Sequence, residues 1–193
     1  MKYTISKRLN RALAYLIDIL IFIPVMALQF LLVYIGYYYQ IIGELVVVAF
    51  ELWYFVYYVY RNEKTFGKSF ENIKILSFDG SRITLKQVFI RYLGYSFIGL
   101  TQAVVYIGLI IATPSEGYDQ LDMIDKFDFV SIKHENLMIF FTYCEYLYLA
   151  ISTLFVFFHK DRRSLPDFLA GTIVVEDADN SNSKEVSKIE KGQ

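Results

Sequence analysis

Four stretches of this chain carry almost nothing but apolar side chains: residues 12–34, 41–60, 88–112 and 137–158. Each has roughly the 20 residues that an α-helix needs to cross a bilayer. Apolar residues occupy every face of these runs instead of one stripe, which favours burial in lipid over a soluble bundle of four buried helices. The pattern predicts an all-α membrane protein, a bundle of four transmembrane helices. The first run is too long for a cleaved secretion signal and lacks a small-residue cleavage site, so a retained anchor is expected.

The polar connections set an orientation. Lys2, Lys7, Arg8 and Arg11 precede the first run, and Lys160, Arg162 and Arg163 follow the fourth. Arg61, Lys64, Lys68, Lys74, Arg82 and Lys86 fill the link between the second and third. The link around GYYYQ holds no basic residue, and the link PSEGYDQLDMIDKFDFVSIKHEN is mainly acidic. Basic loops stay on the cytoplasmic side, so both termini are expected there and the acidic loop outside. Four spans return the chain to its starting side, in agreement with the charges. Tyr37, Tyr38 and Tyr39, and Tyr54, Tyr57, Tyr58 and Tyr60, are placed to meet the two interfaces.

Within the basic link, NIKILSFDGSRIT alternates Ile73 and Ile75 with polar residues, turns at Asp79-Gly80 and continues to Ile83. A small cytoplasmic β-hairpin-like element is predicted, which the β-prone run AGTIVVED could join; a surface-lying amphipathic segment is the alternative. Residues 1–176 read as one transmembrane domain and residues 177–193 as a disordered cytoplasmic tail. Composition changes this picture little. The chain has 193 residues, is 55% hydrophobic and has a net charge of -1, so no nucleic-acid partner is expected. Its single cysteine, Cys144, excludes an intrachain disulfide and a multi-cysteine metal site, and is expected to pack as an apolar residue.

Three acids fall inside the predicted spans: Asp18, Glu51 and Glu145. A charged carboxylate at a helix centre costs about 2.5–3.5 kcal/mol on insertion scales, so such residues face a bundle interior, pair with a cation or hold a proton. Seven-residue spacing puts Arg11 with Asp18 on one face, Glu44, Glu51 and Tyr58 on a second, and Glu145, Ser152 and His159 on a third, with Thr142 nearby. Asp18, Glu51 and Glu145 are candidates for a cation or proton path; interhelical hydrogen bonds that fix packing are the competing reading. Arg91 lies at a depth that suits a pair with Asp18, leaving Arg11 to lipid phosphate or to Asp167. His159 is expected to cap the inner interface or to titrate there. Asp119, Asp122, Asp125 and Asp128 recur every third residue but lack the glycine and terminal glutamate of a calcium loop, so a solvated acidic face is expected.

RALAYLID, TFGKSFENIKILSFDG and RRSLPDFLAGTIVV together resemble the signatures of the RDD family of bacterial and archaeal integral membrane proteins, over roughly residues 8–176. The matching positions are Arg11, Ala14 and Asp18, then Thr65, Gly67, Lys68, Gly80 and Arg91, then Arg163, Leu165, Asp167, Ala170, Gly171 and Thr172. Family members often carry histidine before the last aspartate, where this chain has Pro166, so a proton-handling role for that histidine does not transfer. Pro166 is instead expected to start a short helix capped by Ser164. The resemblance implies a multi-pass plasma-membrane protein whose activity is open. Cation/proton antiport has been proposed for some members, and others look like accessory or regulatory subunits. The lipid bilayer is the expected partner, together with a second copy or another membrane protein. The chain has no HExxH or GxSxG motif, and TFGKS lacks the first glycine of a phosphate loop, so neither an enzyme nor a bound cofactor or metal is expected.

Overall fold

The computed structural model describes residues 3–177; Lys2 and the tail expected to be disordered after Asp177 lie outside the described residues. The described residues are mostly helical with one two-stranded sheet. Among the described residues, four helical stretches are long and apolar enough to span a membrane. The first is α1 (Arg8–Ile35). The second is α2 (Tyr39–Glu51), continued by a π-helical segment (Leu52–Tyr58) and the single turn α3 (Val59–Asn62). The third is α5 (Leu85–Ala112) and the fourth α7 (Glu135–Phe158). Between α3 and α5 lie α4 (Phe66–Phe70) and β1 (Ile73–Ser77). Helix α6 (Met123–Lys133) lies between α5 and α7, and α8 (Leu165–Ala170) with β2 (Thr172–Glu176) closes the described chain.

The spans start earlier than the apolar runs, because each helix takes its first turn from polar flanking residues. Thr84 opens α5 through a reciprocal capping box with Gln87, and Thr65 caps α4. Ser164 and Asp167 form a second box over α8, with Pro166 in its first turn, as expected for a proline that needs no backbone donor there.

The predicted β element forms through the AGTIVVED run expected to join it, and not as a closed hairpin. β1 and the turn at Asp79-Gly80 are present, with Gly80 at φ +85. The chain then enters α5 within a few residues and leaves no room for a returning strand. β1 pairs antiparallel with β2 instead, Ile75 opposite Val174. Residues before α1 run along the other side of β2: Ser6 donates its backbone N–H to Val174 O, and Glu176 N donates to Thr4 O. The chain's N-terminal segment, its middle and its end are thereby tied into one patch.

Two apolar clusters sit at opposite ends of the bundle. Ala14, Val59, Ile73, Ile75, Ile83, Val88 and Val174 form the one beneath the sheet. Tyr37, Ile110, Tyr118 and Val130 form the other, beside α6. The acidic loop is therefore not simply a solvated face. Asp122 caps α6, whose Phe127 stacks on Phe30 of α1 at 4.4 Å between ring centres. Asp119, Asp122 and Asp125 are exposed and Asp128 is half-buried, because the apolar side of α6 faces the bundle. Four residues of strand β2 are buried in succession, since it is covered on both faces. Ile75→Ala is expected to destabilise the protein by about 2–5 kcal/mol, read as a lower thermal midpoint of purified protein in detergent.

Candidate functional site

At the sheet end, charges cluster under a low-dielectric cover. Asp18, on α1, is 3% exposed. Its Oδ1 accepts from Tyr54 Oη (2.6 Å) and Gly67 N (2.8 Å). Its Oδ2 accepts from Thr65 Oγ1 (2.7 Å) and faces Lys68 Nζ at 3.7 Å. The π-helical segment adds backbone between Glu51 and α3 and turns Tyr54 toward Asp18. Tyr58, predicted to align with Glu51, stacks on Phe66 instead, because wider π-helical turns break the seven-residue stripe. Gly67 is required for close approach: a Cβ there would lie 1.9 Å from Ala14 O and 2.8 Å from Asp18 Oδ1.

The expected Asp18–Arg91 pair is not formed. Arg91 Nη2 reaches Asp167 Oδ1 at 3.0 Å, and Arg11 Nη1 lies 3.6 Å from Asp167 Oδ2. Tyr54, Thr65 and Gly67 already meet Asp18, so Arg91 is left for the nearer, fully buried Asp167. Of the two fates foreseen for Arg11, the pair with Asp167 is the one realised. Arg11 also donates to Ser6 Oγ (2.7 Å), to Val174 O (2.9 Å) and to Arg162 O. Arg163 donates to Thr172 O (3.0 Å) and Asp167 O (2.8 Å), with its guanidinium over the Phe78 ring. Pro166 packs closely on Gly94 of α5, where a Cβ would come within 3.1 Å of it. Gly171, at φ +64, ends α8 in the left-handed conformation that glycine tolerates.

Burial alone would raise the Asp167 carboxyl, but Arg91, Arg11 and the Ser164 hydrogen bonds outweigh it and hold it below the usual carboxylate range. Asp177 is held low in the same way, against burial, by Lys64 at 2.7 Å and Lys74 at 3.0 Å.

A second polar group lies in the middle of the bundle. Glu44 accepts from Gln29 Nε2 at 2.6 Å, and Glu51 accepts from Tyr92 Oη at 3.2 Å. Gln40 donates to Tyr118 Oη (3.1 Å) and accepts from Tyr106 Oη (3.1 Å). A cavity of about 330 Å³ is lined by Gln29, Glu44, Gln102, Tyr106, Ser131 and Glu145, among others. Glu51 lies within electrostatic reach of Glu44 and Glu145. Glu145 makes no hydrogen bond among the described residues and sits at the mouth of the cavity, exposed on the bundle surface. Ser152, predicted on its stripe, is buried against the bundle, and His159 contacts Asp161 and Phe168 beyond the end of α7. The structure thus groups Glu51 and Glu145 with Glu44 and keeps Asp18 apart from them. Gln29, Gln40 and Gln102 were not singled out, although an amide in or beside an apolar run is their signal; Tyr54, expected at the interface, is buried against Asp18 because the π-helical segment turns it inward, which local pattern does not show. No group of three or more histidine, cysteine or acidic residues could hold a metal among the described residues.

A bundle of four apolar helices, closed at one end by a buried arginine–aspartate network and a sheet formed from distant chain segments, defines a polytopic membrane protein. The RDD family model matches residues 5–171, and the chain belongs to the RDD family, whose members are membrane proteins. No curated protein and no solved structure matches the chain.

Two tests follow from this geometry. Gly67→Ala is expected to lower the thermal midpoint sharply. Gly108→Ala, where a Cβ meets nothing within 4 Å, is expected to be neutral or to stabilise by up to about 1 kcal/mol through helix propensity. Asp167→Asn is expected to cost about 3–5 kcal/mol near neutral pH, because it strands buried arginines. A folded carboxyl lower than its unfolded value of about 3.9 stabilises above that pH and loses the contribution as pH falls through the folded value. The gap in thermal midpoint between the parent and Asp167→Asn should therefore be full at pH 7 and shrink below about pH 4.

Proposed function

We propose that this RDD-family protein is a small cation/proton transporter of the plasma membrane, with both termini on the cytoplasmic side. The observation that carries the reading is the mid-bundle cavity, where Glu44 and Glu145 face amides and a tyrosine hydroxyl with Glu51 close by. Carboxylates at membrane depth exchange protons for cations when both compete for the same oxygens. Glu44 and Glu145 hold the cation in this reading, and Glu51 hands protons on through its contact with Tyr92. Asp18 takes a structural role, since three hydrogen-bond donors and Lys68 already occupy its oxygens. Basic residues at the sheet end support the orientation. The exposure of Glu145 at the cavity mouth supports a homo-oligomer, in which a second copy covers a carboxylate that lipid would otherwise face. No covalent chemistry is assigned to the protein.

An accessory or regulatory subunit is the second reading. It is favoured by the exposed apolar side chains of α6, Ile124 (71%) and Ile132 (65%), which offer a surface to another membrane protein.

Proton flux in sealed proteoliposomes separates the two. With sodium, lithium or potassium added in turn, the parent protein is expected to change interior pH. Glu44→Gln and Glu51→Gln/Glu145→Gln are expected to fall to the level of empty vesicles while keeping the parent thermal midpoint. No flux from folded protein would sink the transport reading. Loss of a co-purifying membrane protein on Ile124→Ser/Ile132→Ser would support the accessory one.

A further inference from the structure

Just outside the sheet end of the bundle lies a second concavity, of about 690 Å³, lined by Tyr3, Thr4, Ile5, Lys7, Lys160, Arg162 and Glu176. Its cations come from two segments far apart in the chain: Lys7 ends the strand-like segment before α1, and Lys160 and Arg162 follow α7. The N-terminal pairing with β2 and the Arg11 contacts to Val174 O and Arg162 O hold the two segments side by side. Arg162 adopts φ +51, a conformation unusual for a residue with a side chain, and Arg11 grips its carbonyl. That turn gives the groove one of its basic walls.

Among the described residues, the side chains of Lys7, Lys160 and Arg162 make neither ion pair nor hydrogen bond. The nearby Arg8 is engaged elsewhere, donating to Phe157 O (3.1 Å) and Val156 O (3.4 Å) at the end of α7. This contact joins the start of α1 to the end of α7. The first turn of α1 carries no acidic residue, and Lys7 gives it no side-chain cap, so the positive end of the helix dipole adds to the field. Three cations face one acid, Glu176.

Depth decides what such a groove meets. α1 begins at Arg8 and α7 ends at Phe158, and the groove residues sit directly beyond both ends. They therefore lie at the level of lipid headgroups, where basic pockets between helix ends attract anionic lipid. We propose that this groove binds a phosphate group, supplied by the headgroup of an anionic phospholipid in the adjoining leaflet. Lys7, Lys160 and Arg162 would hold the phosphate oxygens, and Ile5 and Tyr3 would pack against the glycerol backbone. The proposal rests on membership of a membrane family and on this geometry, and is independent of the transport reading.

The test uses full-length protein in detergent, titrated with short-chain phosphatidylglycerol, short-chain phosphatidylcholine and inorganic phosphate, with binding read by native mass spectrometry. The parent is expected to prefer phosphatidylglycerol over phosphatidylcholine. Lys160→Gln/Arg162→Gln is expected to weaken phosphatidylglycerol binding about thirtyfold, as removal of two basic residues near a membrane surface implies. Glu176→Gln is expected to tighten it, an outcome that misfolding does not produce. Equal binding of the two lipids by the parent would overturn the proposal, as would a preference that survives in the double variant. Displacement of phosphatidylglycerol by equimolar inorganic phosphate would mark a soluble-anion site and overturn the lipid assignment.

Discussion

The buried carboxylate of Asp167 organises the sheet end of this protein. A charge there has little water to satisfy it, so the chain must bring every donor itself. Arg91 comes from α5, Arg11 from α1, Ser164 from the turn before α8, and Thr172 from β2. Satisfying one carboxylate therefore fixes where four segments meet. Arg11 extends the same constraint to the N-terminal segment and to the turn after α7. The sheet exists largely because these segments are already held together: two five-residue strands are marginal alone and gain their stability from the apolar cluster beneath them.

Asp18 solves the same problem by different means. Its donors are a tyrosine from a π-helical segment, a threonine that also caps α4, and a backbone N–H that only glycine can bring so near. Arg11, Arg91 and Lys68 face the carboxylates of Asp167 and Asp18 at this end of the bundle. The mid-bundle acids have no such company. Glu44 and Glu51 meet neutral amide and hydroxyl donors, and Glu145 meets no hydrogen-bond donor among the described residues. The two groups differ in kind: one is locked by charge, and the other is left with protonation or a bound cation as its means of neutralisation. That contrast is why the transport reading draws on the middle of the bundle and assigns the arginine and aspartates to architecture.

The number of spans was legible because lipid imposes a length and a composition on any segment that crosses it. The strand at residues 73–77, the turn after it, the cap of α8 and the role of Pro166 were legible because each is a local choice of backbone conformation. Helix α6 was hidden by its acids: periodicity is hard to read over eleven residues when one face carries charge and the other is short. The stripes from Glu51 to Tyr58 and from Glu145 to His159 failed at a π-helical segment and at a helix end.

By itself, the sequence determined how many helices are long and apolar enough to cross a membrane, that Ser164 caps α8, and which charged side chains need partners. Those are properties of single segments meeting solvent or lipid. Only the tertiary structure decided who those partners are. Arg91 could serve either aspartate on grounds of depth; it serves Asp167 because Tyr54, Thr65 and Gly67 reach Asp18 first. β1 could turn back on itself, but it pairs with a strand about a hundred residues later. Both choices depend on distances between segments remote in the chain, and local pattern carries no information about those distances.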